Sequence, residues 1–279
     1  MDLVPSKLYV LASPIGNRDD ITIRTLALLK SLNVFFVEDT REFRKLLYLL
    51  SLDCSGKTVY SYAKHNMKTA TSVALGHLSR GTSIGLLSDR GTPGISDPGS
   101  LLVDQALDAS HAVCPIPGPS ALVSALSVCG FGTDRFQFLG FLPEDSRSRS
   151  QLFVNLKKNP VVFCFYESPR RIRGTMTFLA QVFPDGRAFF AREMTKIHES
   201  YQRVNLSRID TFEIREQGEF TVVIEPCSEP EHEGNWKEEL ERRLFSDREW
   251  AKAVALKYNA KASDIYNSLQ KKKMFLKNP

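Results

Sequence analysis

No stretch of the sequence comes near the roughly 18 consecutive apolar residues that a membrane-spanning helix requires, so none reads as a span. The first segment, MDLVPSKLYVLASPIG, lacks a basic start before its short apolar run and reads as a strand rather than a signal peptide. Cysteines are few and odd in number: Cys54, Cys114, Cys129, Cys164 and Cys227, with no C-x-x-C among them. Most sit in apolar runs, where a free thiol behaves as a small hydrophobe. A reduced, cytoplasmic protein without a metal site is expected. The phosphate cradle G-x-x-x-x-G-K-[ST] is missing, and the loop after the first strand carries only Gly16. That is too little glycine for a dinucleotide fingerprint or an ordinary Rossmann-type methyltransferase. No internal repeat is evident.

What is present is ordinary in bulk and uneven in detail. The 279 residues are 42% hydrophobic and 25% charged, as in a soluble globular protein, and long enough for two cores. The net charge of +5 comes entirely from the end of the chain. Residues 1–234 hold 26 basic against 26 acidic side chains, and residues 235–279 hold 11 against 6. Such a tail is either a solvated helical surface or a basic appendage for a polyanion.

Apolar runs and helical patterns alternate along the first half. KLYVLAS, VFFVED, TVYSY, SIGLLSD and AVCPIPG read as strands, with helices such as IRTLALLKSL, TREFRKLLYLL, TSVALGHLSR and SLLVDQALDAS between them. That alternation predicts an α/β fold with a mostly parallel sheet covered on both faces. A second block reads FQFLGFLP, helix, VVFCFYES, helix, RAFFAREM, helix, EFTVVIEP, and its amphiphilic late strands suit a mixed sheet. The expected division is an α/β domain over 1–131, a second over 132–228, and a linker with a basic helical tail over 229–279. In the tail three helical stretches are expected, the second opening on the capping box Ser246–Glu249 and stopping at Asn259.

Ligands of open parallel sheets sit outside the carboxyl ends of the strands. The loops there are SPIGNRDD (13–20), EDTRE (38–42), SDRGTPGISDPGS (88–100) and PIPGPSA (115–121). Each alone is good turn or cap chemistry; four on one edge predict a ligand cleft. The longest spends Gly91, Gly94 and Gly99 on its path, which suits backbone brought close to a ligand. Asp89 and Asp97 beside exposed loop amides suit ribose hydroxyls, an amine and an adenine edge. Chemistry alone does not single out S-adenosylmethionine from that profile.

The set SPIGNRDDITIR, EDTR, SDRGTPGISDPG, PIPGPSALVSALS, FYESPRR and AREMTKIHE, in that order and spacing, closely resembles the tetrapyrrole methylase superfamily of S-adenosylmethionine-dependent enzymes. Within it the resemblance is to the bacterial branch that methylates the cytidine 2′-hydroxyl of small-subunit ribosomal RNA. It covers about residues 6–226 strongly and the tail more loosely. It implies two α/β domains with S-adenosylmethionine held between them, in a homodimer, and rRNA of the small subunit as partner, without a membrane. Carried onto this chain, it implies cofactor contacts from Ser88, Asp89, Gly91, Thr92, Pro93, Gly94, Ile95, Ser96 and Asp97. Ser120, Ala121, Phe165, Tyr166 and Thr221 complete that set. Pro14, Gly16, Asn17, Arg41, Arg170 and Arg192 are expected on the substrate side.

Methylating a ribose hydroxyl requires alignment and help in removing a proton, because the alcohol is a weak nucleophile at neutral pH. Glu38, Asp39, Glu167 and Glu193 are the candidate bases, with Lys196 as a polarising cation. The bland alternatives are a helix cap at Glu38 and Asp39 and a structural pair at Glu193. Departures from the family pattern are Arg90 for the usual Ala, Phe43 for Thr, Arg170 for His, and the string Tyr62–Asn66. Arg90 is expected to point to solvent, with a reach toward RNA phosphate as the alternative. A small-molecule methyltransferase on the same scaffold and a non-catalytic rRNA-binding module stay open.

Overall fold

The computed structural model describes residues 6–158, 160–226, 247–257 and 260–277. Central strands of a parallel sheet are buried on both faces and read as unbroken apolar runs. β2 (Val34–Val37) and β4 (Ile84–Leu87) show this, with every residue buried. With β1 (Lys7–Leu11), β3 (Thr58–Ser61) and β5 (Ala112–Ile116) they form an all-parallel sheet in the order β3-β2-β4-β1-β5. One face packs Leu8, Phe36, Leu78, Ile84 and Leu102, the other Leu11, Phe35, Phe43, Leu47 and Ile116.

The crossover helices start where the sequence supplies caps. Thr22 accepts from the Thr25 amide at 3.1 Å to open α1 (Ile23–Ser31). Asp39 accepts from the Arg41 amide at 2.7 Å to open α2 (Thr40–Leu49). The remaining helices of this half are α3 (Met67–Ser79), α4 (Ser100–Asp108) and α5 (Ala121–Val128).

The second sheet has the order β6-β7-β10-β8-β9. β6 (Phe136–Phe141) and β7 (Val162–Glu167) run parallel; β8 (Arg187–Arg192), β9 (Ser200–Asn205) and β10 (Phe220–Glu225) pair antiparallel. The expected helix before EFTVVIEP is instead β9 and a short 3-10 turn, Leu206–Thr211. SYQRVN carries no apolar run because β9 is an edge strand. Helices α6 (Ser146–Lys158) and α7 (Ile172–Val182) accompany the sheet, and α7 puts Ile172, Met176 and Leu179 into the core on one of its faces.

The other face does something different. Val162, Cys164, Phe189, Ala191 and Val223 pack with Ile15, Leu122, Ala125 and Leu126 from the first half. The two sheets therefore share a core through α5, and 1–226 is one compact unit, with 227–279 a second. In the second unit α8 (Asp247–Lys257) and α9 (Ala262–Lys277) pack through Ala251, Val254, Ile265 and Leu269. The acidic linker, the first expected tail helix, Ser246 and Asn259 lie outside the described residues. Among the described residues no helix is long and apolar enough to cross a membrane.

Candidate active site

The four loops at the carboxyl edge of the first sheet do converge, and they build two neighbouring cavities. One is a cleft of ≈ 240 Å³ between the sheets. The first half contributes Ile15, Gly91, Thr92, Ile95, Ser96, Asp97, Ser120 and Ala121; the second contributes Phe141, Tyr166, Phe220 and Thr221. The other is a groove of ≈ 320 Å³ with an apolar floor of Val37, Phe43, Leu46, Leu49 and Leu87. Its rim carries Arg18, Glu42, Lys45, Ser88, Asp89 and Lys196. Ile15 and Arg90 line both.

The long loop is pinned at its start. Ser13 and Gly91 exchange two backbone hydrogen bonds, at 2.8 and 3.1 Å. Gly91 has φ +80, and a Cβ there would meet Ile15. Thr92 donates its hydroxyl to the Pro119 carbonyl at 3.1 Å, tying this loop to PGPSA. Pro93 and Gly94 shape the turn and do not line the cleft.

Charge is concentrated at the end of β4. Burial holds the Asp97 carboxyl up to about 6, reinforced by Glu38 and Asp89 and opposed by Ser88 and Lys64. Asp89 is also raised, chiefly by burial, although it accepts the Asp39 amide at 3.0 Å. It faces the groove and not the cleft, as does Ser88. Tyr166 is pushed up to about 12, mainly by burial, and packs its ring edgewise on Phe138 and Phe141.

Several expected site residues have structural employment instead. Glu167 has a side chain with 0% exposure and pairs with Arg171 at 2.8 Å. It also accepts from Thr175 at 2.8 Å and from the Ser168 amide at 2.8 Å, so it cannot meet a substrate. Phe165 lies in the second core. Arg192 is only 5% exposed and donates to the His198 carbonyl at 2.7 Å; its position on β8 matches Ala188 and Phe190, which face that core. Asp39 caps α2 and pairs with Arg41, whose hydrogen bond takes its carboxyl down to about 2. Glu38 accepts the Asp89 amide at 3.3 Å. Arg41 and Arg170 line neither cavity.

Glu193 is a pin. It sits at φ +50, and its Oε1 accepts from Lys196 at 2.8 Å and from the Glu219 amide at 2.8 Å. Gly218 must stay small because a Cβ there would run into the Glu193 side chain. Lys196 reaches the groove, and Pro14 and Gly16 line it. Asn17 lines neither cavity but donates its amide to Thr195 at 2.9 Å, joining the first loop to the AREMTK turn. Arg90 keeps half of its side chain in solvent and also pairs with Glu219 across the cleft mouth.

Phe141, Glu219 and the groove floor other than Phe43 were not singled out by the sequence. A usable signal existed for Phe141: Gly140 inside FQFLGF, since a glycine within a strand marks a bulge that re-aims a side chain, and the register of β6 does shift between Phe138 and Phe141.

Comparison with known proteins agrees with this architecture. Residues 7–210 match the family model described as Tetrapyrrole (Corrin/Porphyrin) Methylases. The chain is 37% identical over 272 residues to ribosomal RNA small subunit methyltransferase I of Halalkalibacterium halodurans, covering 93% of each. It is 39% identical over 220 residues to the protein of that name from Thermotoga maritima, covering 78% of this chain and 97% of that one. Among solved structures, diphthine synthase aligns with TM-score 0.61 at 14% identity, over 78% of this chain and 89% of the other. Uroporphyrin-III C-methyltransferase of Thermus thermophilus, complexed with S-adenyl homocysteine, aligns with TM-score 0.53 at 16% identity, over 78% and 97%.

Proposed function

Because the chain belongs to the tetrapyrrole methylase family, we propose that it is an S-adenosylmethionine-dependent methyltransferase acting on the cytidine 2′-hydroxyl of small-subunit ribosomal RNA. The observation that carries this is the pairing of an apolar-walled cleft holding the half-buried Asp97 with a separate basic-rimmed groove, joined at Ile15 and Arg90. The relatives at 37% and 39% identity are named for rRNA of the small subunit. A homodimer and a cytoplasmic location extend the same reading.

The cleft fits the cofactor. Asp97, half-buried among Ile15, Ile95, Phe141 and Tyr166, offers a carboxylate to a cation where water is scarce. Thr221, Ser120 and the loop backbone supply polar contacts beside apolar walls, as small-molecule sites do. Bound there, S-adenosylmethionine supplies an electrophilic methyl group. The chain's own part is to orient the acceptor and take its proton. Of the two carboxylates on the groove, Glu42 pairs with Lys45 at 3.4 Å, which leaves Asp89. Its raised proton affinity suits a base better than the low-lying Asp39, and Lys196 can polarise the acceptor oxygen.

Gly91→Val should weaken S-adenosylmethionine binding more than tenfold, about 1.4 kcal/mol, by placing a branched side chain at φ +80 against Ile15. Calorimetric titration of a variant with unchanged melting temperature checks this; wild-type affinity would remove the loop from the site.

The tail's positive excess supports RNA docking. If residues 235–279 neutralise about 3 to 5 phosphates, removing them flattens the log–log salt slope of RNA binding by roughly 2 to 4. A stable truncation with an unchanged slope would end that role. The activity itself is tested by offering labelled S-adenosylmethionine with small subunits, naked rRNA or a porphyrinogen. Label entering the porphyrinogen alone would favour the small-molecule reading.

A further inference from the structure

Four ionised side chains run in one line along the wall between cleft and groove. Arg90, from the loop after β4, pairs with Glu219 at the entry to β10. The second oxygen of Glu219 takes Lys196 Nζ at 2.9 Å, and Lys196 reaches Glu193 at 2.8 Å. The two carboxylates are held very differently. Glu193 is 20% exposed and fixed by a backbone amide as well as by Lys196. Glu219 is 60% exposed, and among the described residues its carboxylate bonds to Arg90 and Lys196.

Solvent-exposed ion pairs contribute little to stability, so Glu219 is easily exchanged for another anion. Arginine binds phosphate oxygens in bidentate fashion, with directional hydrogen bonds that a single carboxylate contact does not match. With Glu219 displaced, the groove lining favours an anion: Arg18, Lys45, Arg90 and Lys196 stand against Glu42 and Asp89, while Glu193 keeps its hold on Lys196.

We propose that Glu219 is a placeholder anion. A backbone phosphate of the acceptor strand displaces its carboxylate from Arg90 and Lys196, and the two cations then clamp that phosphate at the wall. Arg90 is thereby a positioning residue, setting the acceptor ribose beside the opening at Ile15. The inference rests on the reading of the acceptor as RNA.

A purely structural tie between the two sheets makes the opposite forecast for one variant. Breaking a tie from either side loosens the site, whereas removing a placeholder frees the cations for phosphate. The experiment is fluorescence anisotropy of a labelled single-stranded, cytidine-containing RNA across a salt series, with S-adenosylhomocysteine saturating. Arg90→Ala should weaken binding roughly tenfold and lower the salt slope by about 1, as loss of one phosphate contact does. Arg90→Lys should restore most of the slope. Glu219→Gln should tighten binding by roughly 3- to 10-fold, the scale of one charged contact at an interface rim. Weakening in both Arg90→Ala and Glu219→Gln, or an unchanged slope in Arg90→Ala, overturns the placeholder. Methyl transfer by the wild type to small subunits is followed alongside. Its absence overturns the RNA reading, while the anisotropy pattern judges the placeholder by itself.

Discussion

Asp89→Asn should lower kcat by roughly 100- to 10,000-fold, the usual span of general-base catalysis, with little change in cofactor affinity. Asparagine keeps an oxygen to accept the Asp39 amide, now at 3.0 Å, so the junction of β2 and β4 survives. What disappears is the only group at this position able to take a proton. Asp89 lines the groove and not the cleft, which separates its effect from cofactor binding. Single-turnover rates at saturating cofactor measure it directly. A wild-type rate would leave the proton to water and reduce the site to positioning alone.

Cofactor affinity should rise with pH and level off above about 6. Asp97 is the carboxyl that titrates there, raised by burial and by its neighbours Glu38 and Asp89, with Lys64 acting the other way. Below that pH the carboxyl is protonated and offers a cation nothing, so affinity should fall about tenfold per pH unit by proton linkage. The sign for the free protein is opposite. A carboxyl whose folded pKa lies above its unfolded value of 3.8 binds more protons when folded. Its contribution to stability is therefore present at low pH and is lost as pH rises through about 4 to 6. Cofactor binding and melting temperature should respond to pH in opposite directions across that window. In Asp97→Asn both trends should flatten, with affinity at pH 7.5 reduced at least tenfold. An intact pH profile in that variant would place the titration on another group.

The loop motifs were legible because glycine, proline and aspartate at strand ends have few other uses, and the four loops met as the parallel sheet requires. Strand parity was legible too. Side chains alternate across a strand, so Phe163, Phe165 and Glu167 share the core face while Tyr166 reaches the cleft. Applied to β8 and β10, the same parity buries Arg192 with Phe190 and turns Thr221 to the cleft. The motif FYES hid this, since it presents all four residues as equals.

Other features had no local signal. SYQRVN became an edge strand because β8 needed a partner, and nothing within six polar-rich residues states that. The Arg90–Glu219 pair joins residues 129 positions apart, from different sheets. Each taken alone looks like an ordinary surface charge. The pinning of Glu193 depends on Gly218, whose missing side chain has meaning only once the turns touch.

The most direct test of the account is where the methyl group lands. Small ribosomal subunits lacking the modification are incubated with the protein and isotopically labelled S-adenosylmethionine, the rRNA is digested to nucleosides, and the labelled species is identified by mass spectrometry. Labelled 2′-O-methylcytidine is expected, lost in Asp89→Asn and retained in a folded Glu167→Gln variant. Label on a base, with none on ribose, would contradict it.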